Sequence, residues 1–317
     1  GTDTINASIA YVLPANVEHL LLTGAAAVNG SGNALDNWVR GNAGGNTLLG
    51  ADGLDALFGE AGSDILDGGN GHDLLQGGAG NDSLTDVAGN NVLDGGAGTD
   101  TLTGGAAREF FAGGAGSDTI TTGGGIDVIV FNKGDGTDVI NASVGTDDTL
   151  SLGGALAYAD LRLKKTGADL ILDAGGGDQI TLKNWYQAGV NHKSILNLQV
   201  VTDAMAAFNP AGTDPTLNRK VVRFNFTTLV SQFDAALAAN PALAAWSVAN
   251  GLASAYAAGS DTAAIGGDFA YDFGHRNGLS GIGAVPAQSV LAAASFGSGT
   301  QALQAPGTLY AGVVRMS

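Results

Sequence analysis

Seven aspartates stand out by their spacing. Asp55, Asp64, Asp73, Asp82, Asp100, Asp118 and Asp127 all fall on one nine-residue register. The first six share the same glycine framing, with Gly50, Gly59, Gly68, Gly77, Gly95 and Gly113 five positions before and Gly53, Gly62, Gly71, Gly80, Gly98 and Gly116 two before. Glycine permits tight turns and lets carbonyl oxygens approach a ligand closely. A carboxylate set among such carbonyls suits a hard cation such as Ca2+, which takes about six to eight oxygens. One turn offers about half that number, so two stacked turns must share each ion, and the ligands belong to aspartates eighteen positions apart.

The register therefore defines two columns. One holds Asn46, Asp64, Asp82, Asp100 and Asp118; the other holds Asn37, Asp55, Asp73, Asn91, Glu109 and Asp127. Asparagine keeps an oxygen but loses the charge, and Glu109 lies in a unit where Ala107 replaces the fourth-position glycine. Weak or empty sites are expected at Asn37, Asn46, Asn91 and Glu109. Asp135 and Asp138 follow in a segment whose register slips, and should close the end of a column. About five to seven calcium ions would fill the array. Aspartate also caps turns without any metal, but a register kept over many units argues against that simpler role.

Such positioning requires a repeating backbone. Eleven consecutive nonapeptides run from Gly32 to Val130. Their eighth residues are Val39, Leu48, Leu57, Leu66, Leu75, Leu84, Leu93, Leu102, Phe111, Ile120 and Ile129, apolar without exception. An unbroken apolar column at fixed period reads as stacked coils around one narrow core. The fold class is mainly β: a right-handed parallel β-roll with a small antiparallel β cap and an Ala-rich, partly helical C-terminal region. Positions seven and nine of each unit point outward. One face carries Trp38, Phe58, Leu74, Val92, Phe110 and Val128; the other carries Thr101, Thr103, Thr119 and Thr121. The apolar face is expected to contact the C-terminal region, a second subunit or an upstream domain.

The 317 residues include 52 glycines and carry a net charge of -17, with no cysteine. The charge excludes nucleic acid and anionic surfaces as partners, and no apolar run is long enough for membrane insertion. Four parts are expected: an N-terminal strand cap (1–31), the calcium-binding roll (32–148), a β-rich capping domain (149–193) with alternating segments from Leu150 to Leu182, and a helical or mixed region (194–317). In the last, Ala204–Phe208, Leu229–Ala239 and Ala242–Ala258 read as helices, a further helix could start at Ser260-Asp261, and glycines interrupt at 281–283. No HExxH or GxSxG pattern occurs, so no catalytic residue is assigned; the chain reads as the C-terminal part of a longer protein whose enzyme, if any, lies upstream.

The units from Gly50 to Asp127 resemble the RTX, or haemolysin-type, calcium-binding repeats of proteins exported by Gram-negative type I secretion systems. The stretch from Leu161-Arg162-Leu163 to Asn184-Trp185-Tyr186 resembles the related domain that often follows them. Together the resemblance covers about half the chain. It implies a module that stays unfolded in calcium-poor cytosol, passes the type I secretion machinery through a C-terminal signal, and folds on Ca2+ outside the cell, secreted or at the cell surface. The alternative is a self-assembling extracellular structural protein, such as a surface-layer, filament or adhesin subunit, whose assembly depends on calcium.

Overall fold

Stacked strands account for the apolar column. The computed structural model describes residues 1–141, 147–189, 192–276, 296 and 299–303. Two sheets of twelve strands each face one another. In the first, Trp38–Arg40, Ala56–Ala61, Leu74–Ala79, Val92–Gly98, Phe110–Gly116 and Val128–Asn132 pair in parallel, with Leu74 beside Val92, Val92 beside Phe110 and Phe110 beside Val128. In the second, Thr47–Gly53, Ile65–Gly71, Ser83–Thr85, Thr101–Thr103 and Thr119–Thr121 do the same. Consecutive units alternate between sheets, so each coil comprises two nonapeptides, and about eight turns form a parallel β-solenoid. All eleven eighth-position residues are at most 1% exposed. A buried leucine touched on every side by the coils above and below leaves a cavity when truncated. Leu84→Ala is therefore expected to cost about 2–5 kcal/mol, measured by denaturant unfolding in saturating calcium; a cost below about 1 kcal/mol would contradict a packed single-file core.

The parallel stack reaches beyond the regular register at both ends. Thr4–Ala7 and His19–Leu22 join the first sheet, while Tyr11–Val12 and Gly30–Ser31 join the second, so residues 1–31 form coils of the same roll. After Thr121 the period stretches. Thr119 pairs with Val139 and Val128 with Thr149, so the strands stay in register although the spacing between them has grown. Asp148–Gly153, expected in the antiparallel cap, instead pairs in parallel with Val128–Asn132 and Ile195–Val201. The antiparallel elements are Arg162–Thr166 and Asp169–Gly175, attached through Asp178–Leu182 to the edge of the roll.

The C-terminal region departs more from expectation. Helix α1 spans Phe226–Ala239, with Asn225 Oδ1 accepting the Thr228 N–H as its cap. Ala204–Phe208 is a series of turns, not a helix. Ala242–Ala258 is not one helix either: it contains the strand Trp246–Ser247, a 3-10 turn, the four-residue helix α2 (Leu252–Ala255) and the start of strand Tyr256–Ser260. Its alanines suit a helix, but open sheet edges at Arg162–Thr166 and Val221–Asn225 take these strands, and pairing overrides local propensity. Helix α3 follows at Gly267–Arg276. The expected glycine interruption at 281–283 and the extreme C-terminal export signal lie outside the described residues.

Of the expected occupants of the apolar face, the C-terminal region is the one found there, through helix α3 and its flanks. Ile265, Phe269, Ala270, Phe273 and Phe296 pack on Leu74, Val92, Phe110 and Val128, all at most 1% exposed. The Phe110 and Phe269 rings lie 5.5 Å apart. Buried polar bonds lock this cover: Gln199 Nε2 donates to the Ile265 carbonyl and Gln199 Oε1 accepts its N–H, and Asn132 Nδ2 donates to the Phe273 carbonyl. Trp38 and Phe58, nearer the N-terminal end, remain partly exposed. The opposite face stays open to water, with Thr101 exposed and Thr103, Thr119 and Thr121 half-buried.

Candidate metal centre

Each sixth-position aspartate sits inside the roll, at a turn, and uses its two oxygens differently. In the first column Oδ1 accepts a backbone N–H from the preceding coil: Asn46 donates to Asp64, Asp64 to Asp82 at 2.8 Å, Asp82 to Asp100, Asp100 to Asp118, and Asp118 to Asp138. Their Oδ2 atoms at 64, 82, 100 and 118 are buried without a hydrogen-bond partner. Those four aspartates are at most 3% exposed. Buried charge without a counterpart is costly, and either a cation or a proton would relieve this repeated arrangement.

The glycines show where it belongs. A methyl on Gly59 would meet Asp64 Oδ2 and the Gly77 carbonyl oxygen; one on Gly77 would meet Asp82 Oδ2 and the Gly95 carbonyl. Gly50 and Gly95 have the same two kinds of neighbour, so these coils present a cradle of one free carboxylate oxygen and one carbonyl oxygen of the next coil, with space that only hydrogen leaves open. The fourth-position glycines serve differently. Gly80 has φ +141°, and a methyl there would overlap the Gly62 carbonyl. Among the described residues no three acidic or histidine side chains converge on one point; carboxylates of successive coils plus backbone carbonyls compose each candidate site. Residues and chemistry therefore fit Ca2+, an oxygen-seeking ion. Gly77→Ala, which removes no ligand and lies outside the positive-φ region, is expected to weaken calcium binding about tenfold or more, since losing even 1.4 kcal/mol per site has that effect. Isothermal titration of the full chain would measure it, and unchanged affinity would refute the cradle.

Electrostatics agree. Burial pushes the Asp64 and Asp118 carboxyls up to about 6 and Asp100 to about 7, against the opposing pull of the backbone N–H each accepts. Asp82 is raised for the same reason.

The second column is less regular. Asn37 donates its N–H to Asp55 Oδ1, Asp55 to Asp73, and Asp73 to Asn91 Oδ1 at 2.9 Å. Further along, Glu109 donates to Asp127 and Asp127 to Asp148. Glu109 is fully buried, and its carboxylate shares the space at Gly104 with the Phe111 ring. The first coils differ again. Asn46 Nδ2 donates to the Val28 carbonyl at 2.6 Å, Asn42 Nδ2 to Ala26, and Asn33 Nδ2 to Pro14 and Val17. There the amide hydrogens fill turn carbonyls that elsewhere face a cradle.

At the far end Asp138 continues the first column, as the slipped register suggested. Asp135 lies beside it: its Oδ2 accepts the Asn132 N–H at 2.6 Å and its Oδ1 is buried without a partner. Three carboxylates escaped sequence reasoning. Asp148, fully buried, ends the second column. Asp178, from the antiparallel hairpin, accepts the Gly134 and Gly136 N–H groups. Asp86, 1% exposed, occupies a first-position glycine site. The signals were present, as an aspartate in place of glycine and as aspartates beyond an insertion, but the nine-residue register looked only at position six.

A parallel β-roll with inward carboxylates at both rows of turns is a calcium-binding β-solenoid. Comparison with family models agrees: that of the RTX calcium-binding nonapeptide repeat, in four copies, matches residues 31–66, 76–108 and 103–138. RTX calcium-binding nonapeptide repeats are thus found within residues 31–138. No curated protein matches the chain.

Proposed function

We propose that this chain is a calcium-gated folding module of a protein exported by a type I secretion system, compact only where calcium is abundant. The row of buried, partnerless Oδ2 atoms carries this reading. Ca2+ would supply positive charge to Asp64, Asp82, Asp100, Asp118 and Asp138 in one column and to Asp55, Asp73, Asp127 and Asp148 in the other, with Asp135 adding an oxygen at the end. Without it, the carboxylates repel one another and resist burial. Extracellular-type sites bind at about 0.1–1 mM, far above cytosolic calcium. At ten times its dissociation constant each ion contributes about 1.4 kcal/mol, and about five to seven ions reach the order of 10 kcal/mol, comparable with the whole stability of a domain. Among the described residues no helix is long and apolar enough to cross a membrane, in keeping with release from the cell.

Calcium titration of the full chain, followed by circular dichroism, tests the proposal. A cooperative gain of β structure with a midpoint of about 0.1–1 mM is expected; a chain equally folded in excess chelator would overturn it. The alternative of a self-assembling structural protein loses its main surface, because helix α3 covers the apolar face.

A further inference from the structure

The step between Asp73 and Asn91 should be deficient. Asn91 spends its one side-chain oxygen on the Asp73 N–H and turns its amide nitrogen to the Gly89 carbonyl. Asp73 Oδ2 is then the one sixth-position oxygen left over at that step. Asp86 stands beside it. It begins its nonapeptide where most units carry glycine, and its backbone keeps the ladder, with the Asp86 N–H donating to the Thr103 carbonyl. Its Oδ1 accepts the Ala88 N–H at 3.3 Å, which aims Oδ2 into the roll. That Oδ2 is buried and partnerless. A methyl on Gly68 would collide with Asp86 Oδ2 and with Asp73 Oδ2 alike, so both carboxylates point into one cradle.

We propose that Asp86 is a metal ligand from outside the sixth-position register, which with Asp73 holds a Ca2+ ion at the step Asn91 would otherwise leave short of oxygen and charge. The proposal rests on the calcium reading of the roll. Two buried carboxylates aimed at one point repel each other; a divalent cation between them removes that penalty. Charge lost at position six is restored at position one, thirteen residues after Asp73.

Asp86→Gly, which installs the residue usual at that position, and the double variant Asp86→Gly with Asn91→Asp provide the test. Calcium bound per chain is counted by native mass spectrometry and affinities by titration, with circular dichroism confirming the fold in saturating calcium. Asp86→Gly is expected to fold and to bind one ion fewer than the unaltered chain, and the double variant to regain it. Asp86→Asn, which keeps an oxygen without the charge, should retain the ion but bind it at least about tenfold more weakly, the effect of about 1.4 kcal/mol. If Asp86→Gly binds the same number of ions with the same affinities, Asp86 merely shares a proton with Asp73 and the proposal falls. An unaltered chain that binds no calcium would instead overturn the function proposed above.

Discussion

Asp82→Ala is expected to raise the calcium concentration needed for folding several-fold and to remove bound ions, whereas Asn91→Ala should do much less. Asp82 spans two coils. Its Oδ1 holds the Asp64 N–H and its Oδ2 faces the Gly77 cradle beside the Gly95 carbonyl. Truncation leaves a buried donor unmet, at about 1–3 kcal/mol, and withdraws charge from the run Asp64–Asp82–Asp100, where each lost ion forfeits about 1.4 kcal/mol at tenfold saturation. Asn91→Ala also strands a donor, the Asp73 N–H, but withdraws no charge. Calcium titrations of both variants by circular dichroism make the comparison. Equal midpoint shifts would refute the unequal columns.

Acidification in the presence of chelator is expected to restore β structure that calcium removal abolishes. The carboxyls at Asp64, Asp100, Asp118 and Asp55 are raised to between about 6 and about 8 by burial, above an ordinary value of 3.8. A carboxyl raised by folding binds its proton more tightly in the folded chain. Its favourable contribution is thus complete below the unfolded value near 4 and disappears as pH rises through about 6 to 8. Protons then do at pH 4 to 5 what calcium does at neutral pH: they abolish the repulsion within the columns. Circular dichroism in chelator should show little roll at pH 8 and a gain as pH falls. With calcium present the same protons compete with it, so affinity should decline over the same range. A calcium-free chain that stays unfolded down to pH 4 would show that neutralising the carboxylates is not enough.

The parts of this molecule legible in the sequence are those the stack repeats. Leu48, Leu66, Leu84 and Leu102 announce one another because each coil must bury the same side chain against the next, and Asp64, Asp82 and Asp100 because each turn repeats one geometry. Legibility ends where repetition does. Asp148 was missed because three extra residues separate its coil from the regular period, though the strand pairing of Val128 with Thr149 absorbs them. Asp178 reaches Gly134 and Gly136 from a hairpin forty-odd residues away, a contact no local pattern encodes. Ala242–Ala258 misled for the opposite reason, since its alanines carry a local preference that two unfilled sheet edges override.

The asparagine turns at the N-terminal end give the stack a direction. Asn33, Asn42 and Asn46 satisfy carbonyls with their own amide hydrogens, so those coils are expected to close without an ion. In a solenoid each coil leans only on its neighbours, and the costly event is making the first one, not adding the next. A first coil that closes without metal would act as a seed, and calcium would have only to extend an existing edge. The roll should therefore zip from its N-terminal end towards helix α3, and the apolar face should close last.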